Sequence, residues 1–233
     1  MFKNRLLPRF AALMLLGFVS TANASQEDVL PSIRPHIAKL SQEFQQIPAE
    51  RQKLLKKGAL FIRSKIQAGE TAQLTFICTH NSRRSHLAQI WAQTAAAFYG
   101  VDGVQAYSGG TEATAMNSRT VDALHRVGFT LTDTTGGKNP VYLVKYSESK
   151  PDIRSFSKIY NAEGNPQSNY AAFMTCSQAD KNCPVVEGSA LRIPIHYEDP
   201  KVADNLPTES AVYDERTQQI GREMLFMLSQ VKS

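Results

Sequence analysis

The sequence predicts an α/β protein: a three-layer sandwich around a four-stranded, mainly parallel sheet, with an N-terminal helical extension and a β-hairpin insertion. Three observations predict it. Short apolar runs at 74–78, 104–108, 171–176 and 191–197 have the length of buried strands. Helical patterns alternate with these runs, and such alternation implies parallel pairing through crossovers. Residues 139–160 break the rhythm with two β-rich runs around Ser147-Glu148-Ser149-Lys150-Pro151, which is a hairpin pattern.

The elements follow in order. Residues 1–24 open with Lys3, Arg5 and Arg9, continue through the apolar run Phe10–Val19, and end on Ala22-Asn23-Ala24 before Ser25. That is the layout of a secretory signal peptide, and it places the mature chain in the periplasm or outside the cell. An uncleaved interfacial anchor is the alternative. The apolar core is shorter than the roughly 20 residues that cross a bilayer, and no other stretch qualifies, so no stable membrane span is expected.

Residues 25–70 form the helical extension. Ile33, Ile37, Leu40 and Phe44 recur at helical steps. After Pro48, Leu54, Leu55, Gly58, Phe61, Ile62 and Ile66 do the same. Lys53, Lys56, Lys57, Arg63 and Lys65 read as a solvated helix face, with a membrane or partner surface as the alternative. Residues 71–233 form the α/β domain. Leu74–Cys78 is a strand, Arg84–Tyr99 a helix carrying Leu87, Ile90, Trp91 and Thr94 on one side, and Val104–Ser108 a strand broken by Gly109-Gly110. Ser118–Val127 is a helix that Gly128 stops. The insertion spans about 137–168. Its aromatic residues Tyr142, Tyr146, Phe156 and Tyr160 either rim a site or pack an antiparallel extension on the core. Ala171–Cys176 and Leu191–Tyr197 are the last strands, and Glu209–Val231 is a long final helix.

Composition narrows the function. The 233-residue chain has a formal charge of +5, but residues 1–24 hold three basic and no acidic residues, so without them the charge is +2. That is no nucleic-acid footprint, and no nucleic-acid partner is expected. About 209 residues remain, enough for one core in one domain. The cysteines are Cys78, Cys176 and Cys183. An odd number in an oxidising compartment leaves at least one thiol free or paired elsewhere. No Cys/His cluster has zinc-ligand spacing, so neither a metal nor an organic cofactor is expected.

The chemistry concentrates in Cys78-Thr79-His80-Asn81-Ser82-Arg83-Arg84-Ser85. A strand ending in cysteine, a tight turn and a helix starting at Arg84 make an anion trap. The backbone N–H groups of the turn point inward, and the helix start adds partial positive charge. The same field stabilises a thiolate. Arg84 can grip two oxygens of a tetrahedral oxyanion, and the Ser85 hydroxyl can donate to the sulfur. The plainer reading of Cys78 alone is a buried cysteine ending a core strand.

With these residues in view, FICTHNSRRSHLAQIW resembles the oxyanion loop of the low-molecular-weight protein tyrosine phosphatases, and still more that of their relatives, the thioredoxin-coupled arsenate reductases. The likeness runs from about Leu74 to the C-terminus. It implies Cys78 as nucleophile, Arg84 as oxyanion clamp, and Thr79, His80, Asn81, Ser82, Arg83 and Ser85 as oxyanion-binding or supporting loop. AYSGGTE at 106–112 resembles the segment whose serine supports the loop, which points to Ser108. Tyr197-Glu198-Asp199-Pro200 resembles the late Asp-Pro that supplies the general acid, which points to Asp199; a poor leaving group needs such a proton. The sequence departs from the family at His80, a slot usually held by glycine, at Arg83, where many members carry a second cysteine, and at Gln89, in place of a common glutamate. His80 is then either a functional neighbour of the sulfur or a solvent-facing loop residue.

Cys176-Ser177-Gln178-Ala179-Asp180-Lys181-Asn182-Cys183-Pro184 resembles the redox segment of those reductases. The resemblance implies that Cys176 resolves the arsenic adduct on Cys78 and that Cys183 then attacks Cys176. Seven helical steps would separate Cys176 and Cys183 by about 10.5 Å, whereas a disulfide wants under about 7 Å, so the segment must loop out. Three readings remain. The first is an arsenate reductase served by a thioredoxin-like dithiol donor. The second is a phosphomonoester hydrolase of the tyrosine-phosphatase kind, with a phosphorylated substrate and a structural Cys176–Cys183 clip. The third is a non-catalytic oxyanion-binding or redox-sensing module.

Overall fold

The computed structural model describes residues 28–183 and 185–232. The expected signal peptide at 1–24 lies outside the described residues. Two helices, α1 (Arg34–Ser41) and α2 (Ala49–Gln67), form the extension, joined through a 3-10 turn at Phe44–Gln46. Pro48 stands immediately before α2 with extended backbone, so the expected helical run is divided in two. Then follow β1 (Ala72–Cys78), α3 (Arg84–Phe98), β2 (Val104–Gly110), α4 (Ser118–Val127), β3 (Thr130–Asp133), β4 (Tyr142–Lys145), β5 (Ile153–Ser155), β6 (Tyr170–Met174), α5 (Ser177–Asn182), β7 (Ser189–Pro194) and α6 (Glu209–Ser229).

The main sheet runs β2-β1-β6-β7 and is parallel throughout. Register places Cys78 beside Gly110 on one side, while Phe76 pairs with Phe173 on the other. Strand alternation sends Leu74, Phe76, Ala171 and Phe173 to one face and Ile77, Tyr170, Ala172 and Met174 to the other. The first face carries the large core. There α3 lies between the sheet and α6, which is why it is buried almost all round and why its Ala88, Ala92, Ala95 and Ala96 are small. Ile33, Ile37, Leu40, Leu55 and Ile62 of the extension belong to this same core. The second face is covered by Tyr160, α5 and Val186.

The insertion is a hairpin joined by a third strand. β4 pairs antiparallel with β5, as the alternating pattern implies, and also with β3, which the polar run Thr130-Leu131-Thr132-Asp133 conceals. Only Leu131 of these four is buried, so the period-2 signal is a single residue. Asn117 caps α4 by accepting from Arg119 N–H at 3.0 Å, and Gly128, at φ 103°, ends it.

Candidate active site

The site forms at the C-terminal ends of β1 and β6, where an open parallel sheet leaves a crevice. Residues 79–83 turn from β1 into α3. Their carbonyls are tied outward: Thr111 N–H donates to Cys78 O at 3.1 Å, Glu112 N–H to Thr79 O at 2.8 Å, Ser157 Oγ to His80 O at 2.9 Å and Asn117 N–H to Ser82 O at 2.9 Å. None of the backbone N–H groups of Thr79 to Arg83 is given to a protein acceptor among the described residues. A turn with its carbonyls occupied outside and its amides unspent is a nest for an anion.

Asn81 makes the turn possible. It alone of the loop residues has a left-handed backbone, φ 44°, a region that asparagine tolerates. His80, in the slot that the resemblance gives to glycine, is not left-handed. Its side chain is half-exposed and lies 3.5 Å from Glu112. Gly110 is needed for a different reason. A Cβ there would fall 2.6 Å from Thr79 O and 2.7 Å from Asn81 N, so no side chain fits between β2 and the loop.

Cys78 is 3% exposed. Its Sγ lies 3.1 Å from Ser85 Oγ, and Asn81 Nδ2 donates to that Oγ at 2.9 Å. Such donors stabilise negative charge on a sulfur. Arg84 Nη1 donates to Tyr197 O at 3.0 Å and Nη2 to Asp199 Oδ2 at 2.7 Å, while Nε is buried with no partner. Arg84 thus joins the loop to the Asp-Pro segment and keeps one donor unspent. Asp199 Oδ1 also accepts from Lys201 N–H at 3.1 Å. Arg83 turns the other way. Its Nε donates to Tyr213 Oη at 2.9 Å, and its guanidinium lies 3.6 Å from Asp204 and 3.9 Å from Asp199.

Ser108 lies on β2, as its strand pattern predicts. Its Oγ lies 3.2 Å from His86 Nδ1, not on the loop, so any support it gives passes through His86 in the first turn of α3. His86 is fully buried, and burial with the nearby Lys158 charge pushes its pKa down to about 3. The imidazole is therefore neutral.

All three cysteines lie in one apolar cluster on the second face, with Ile77, Tyr170 and Met174. Thr175 brings them together: its N–H and Oγ both donate to Ile77 O, at 2.7 and 2.9 Å. Cys176 follows, 2% exposed, with Sγ 3.5 Å from Thr79 Oγ1 and accepting Ala179 N–H at 3.3 Å. Cys183 sits half-buried at the other end of α5. Arg192 holds that helix: Nη2 donates to Asp180 O at 2.7 Å and to Cys183 O at 3.2 Å. His196 Nε2 lies 3.0 Å from Asp180 Oδ2.

The segment 195–199 is fixed from the extension. Arg51 of α2 donates to His196 O at 2.5 Å and lies over the Tyr197 ring. Tyr197 Oη donates to the buried Glu223 at 2.8 Å. Burial raises the Glu223 pKa and raises that of Tyr197 further, the carboxylate adding to the effect. Sequence reasoning missed His86, Arg192, His196, Tyr213 and Asp204. Tyr213 and Asp204 reach Arg83 from the far C-terminal segment, Arg192 and His196 reach Asp180 from β7 and the residues just after it, and His86 adjoins the loop with nothing local to name its partner Ser108. No group of three metal-ligating side chains occurs among the described residues, and no described helix is long and apolar enough to cross a membrane.

The chain is similar to several known proteins. The family model described as low molecular weight phosphotyrosine protein phosphatase matches residues 73–136. Arsenate reductase 2 of Staphylococcus epidermidis is 30% identical over 125 residues, which cover 54% of this chain and 76% of that protein. Arsenate reductase 2 of Staphylococcus haemolyticus is 28% identical over the same length and shares. Among solved structures, a YwlE mutant from Bacillus subtilis aligns with TM-score 0.49 at 14% identity, over 70% of this chain and all of that one. A low molecular weight phosphotyrosine phosphatase from Vibrio cholerae aligns at 0.47 and 12% identity, over 70% and 97%.

Proposed function

The chain belongs to the superfamily of low-molecular-weight phosphotyrosine protein phosphatases and arsenate reductases, and within it we propose that this protein is an exported, cysteine-dependent arsenate reductase. The observation that carries the reading is the gathering of Cys78, Cys176 and Cys183 in one cluster, with Cys176 against Thr79 of the oxyanion loop.

Arsenate enters the nest, where the loop amides and Arg84 Nε meet its oxygens. Cys78 Sγ attacks arsenic and one arsenate oxygen leaves as water. Asp199 gives the proton, and it must first leave Arg84, whose guanidinium the oxyanion then shares. Cys176 Sγ next attacks Cys78 Sγ. The S–As bond breaks with its electron pair staying on arsenic, arsenite departs, and a Cys78–Cys176 disulfide remains. Cys183 attacks Cys176, restoring the Cys78 thiolate and leaving Cys176–Cys183. A thioredoxin-like dithiol donor in the same compartment supplies two electrons to that bond. The basic, apolar and Ala22-Asn23-Ala24 segments support export, and the N-terminus of the mature protein tests it.

Thiol counting and disulfide mapping after arsenate exposure test the relay. Arsenite release should need a dithiol donor and all three cysteines. The second reading, a phosphomonoester hydrolase, is favoured by Asp199-Pro200 lying on Arg84. It requires hydrolysis of an aryl phosphate without reductant, lost in Cys78→Ser and kept in Cys183→Ser. Phosphate binding with neither activity would leave only a binding module.

A further inference from the structure

The Arg83 side chain has no part in the chemistry above, yet it is only 11% exposed and stands beside the proton donor. That donor lies on a short 3-10 turn, Pro200–Ala203, with an aspartate at each end. Asp199 caps the start, accepting Lys201 N–H at 3.1 Å. Asp204 closes the end, donating its own N–H to Lys201 O at 3.0 Å. Arg83 faces both aspartates. Its Nη2 lies 3.6 Å from Asp204 Oδ2, and its Nη1 lies 3.9 Å from Asp199 Oδ1.

The guanidinium is fixed from behind. Its Nε donates to Tyr213 Oη at 2.9 Å, and Tyr213, buried on α6, donates that hydroxyl to Asp204 Oδ1 at 2.8 Å. Arginine has no acceptor, so both bonds have one possible direction. Burial, with the Asp204 carboxylate accepting from it, pushes the Tyr213 pKa up to about 12, which keeps it a phenol. Arg119 of α4 holds the same end of the turn, with Nε 3.8 Å from Asp204 and Nη2 donating to Asn205 Oδ1 at 2.8 Å. The Asp204 end is therefore anchored by two helices. Among the described residues, the Asp199 carboxylate meets only Arg84, Arg83 and the amide of its own turn.

The two arginines differ at Asp199. Arg84 binds Oδ2 at 2.7 Å, but it is also the clamp that an oxyanion claims. Once Arg84 turns to the oxyanion, Arg83 is the cation left in reach, about 1 Å beyond hydrogen-bonding distance. We propose that Arg83 is a positioning residue for proton transfer, taking over Asp199 when the oxyanion takes Arg84. As the As–O or P–O bond breaks, its electron pair stays on oxygen, and the Asp199 proton goes to that oxygen. The carboxylate so formed lies against a cation for which the oxyanion does not compete, which favours the transfer. This rests on Asp199 being the proton donor, as both enzymatic readings above require.

Paired esters separate positioning from structure. The leaving group of para-nitrophenyl phosphate departs without a proton, whereas that of phenyl phosphate needs one. Arg83→Met should lower kcat/KM at least tenfold for phenyl phosphate and less than threefold for para-nitrophenyl phosphate. Arg83→Gln should show the same split, and Arg83→Lys should recover part of the loss. Calorimetry should find inorganic phosphate bound to Arg83→Met within threefold of the parent, which also shows that the variant folds. Equal losses on the two esters overturn the proposal. An Asp199→Asn variant with unchanged kcat/KM on phenyl phosphate instead refutes the role of Asp199. If neither ester is hydrolysed, hydrogen exchange at the Lys201 amide decides, since Asp199 accepts from it. Saturating phosphate should speed that exchange at least tenfold in Arg83→Met and leave it unchanged in the parent; the same response in both overturns the hand-over.

Discussion

Replacing Arg192 with methionine should make the Cys176–Cys183 disulfide about thirtyfold easier to form. The two cysteines bracket α5, seven residue steps apart, and a helix holds such positions about 10.5 Å from each other. A disulfide tolerates no more than about 7 Å, so α5 must open. Arg192 opposes opening with two charged hydrogen bonds, to Asp180 O and Cys183 O. Its Nη2 is also 2.5 Å from Asp180 Oδ1, but off the hydrogen-bonding axis, so that contact counts as charge attraction alone. The Arg192 side chain is 27% exposed and that of Asp180 20%. A hydrogen bond to a charged group is worth about 1.5–3 kcal/mol and an exposed ion pair about 0–1. Taking about 2 kcal/mol for this half-buried fork gives a factor of about 30, or roughly 43 mV on the two-electron couple. The assay is equilibration of Cys78→Ser, with and without Arg192→Met, in glutathione redox buffers, followed by alkylation and mass spectrometry. An unchanged midpoint in a folded variant would refute the reasoning, because the latch would then persist in the oxidised form or contribute nothing. Arg192→Lys, which keeps the charge and loses the fork, should fall between the two.

Three further outcomes are expected. His86 has a native pKa of about 3 against about 6.5 unfolded, so below pH 6.5 the unfolded chain takes up the proton that the native one refuses. Its contribution to stability is full above pH 6.5 and is lost on acidification, at about 1.4 kcal/mol per unit down to about pH 3; urea titrations should show that slope vanish in His86→Gln, and an identical slope would disprove it. Gly221→Ala places a Cβ 2.7 Å from the Trp91 ring, where α3 and α6 meet, and should cost about 1–3 kcal/mol in urea unfolding. Arg51→Ala leaves Glu223 buried with less compensation and frees His196 O. Stability should drop by about 3 kcal/mol and turnover should fall, with Glu223→Gln restoring part of the stability in the double variant; additive effects would argue against the pair.

The oxyanion loop was legible because its chemistry is local. A strand, a turn and a helix start within a dozen residues dictate where the amides of 79–83 point, and Cys78, Arg84 and Ser85 need no distant partner to be recognised. The hairpin was legible from alternation in residues 142–155, whereas β3 was not, since three of its four side chains face solvent. Asp199 was found from its proline, but its bond to Arg84 was not, because nothing in Asp-Pro states which cation it will meet. Ser108 was placed on β2 and named as a support for the loop, but its contact with His86 was not legible, because nothing in the sequence pairs the two.

Sequence alone determined the parallel sheet, through strands that alternate with helices, and the anion nest, through the cysteine, the turn and the arginine in register. Tertiary structure alone decided how the nest is held and with what it communicates. Thr175 ties Cys176 beside Thr79, Arg192 fastens α5, Arg51 steadies the Asp199 segment, and Lys158 reaches Asn81 from the insertion. The physical reason is range. Backbone geometry and side-chain alternation are set by neighbours a few residues away, whereas these hydrogen bonds, from 12 residues apart for Arg192 to 145 for Arg51, exist only once the chain has closed on itself.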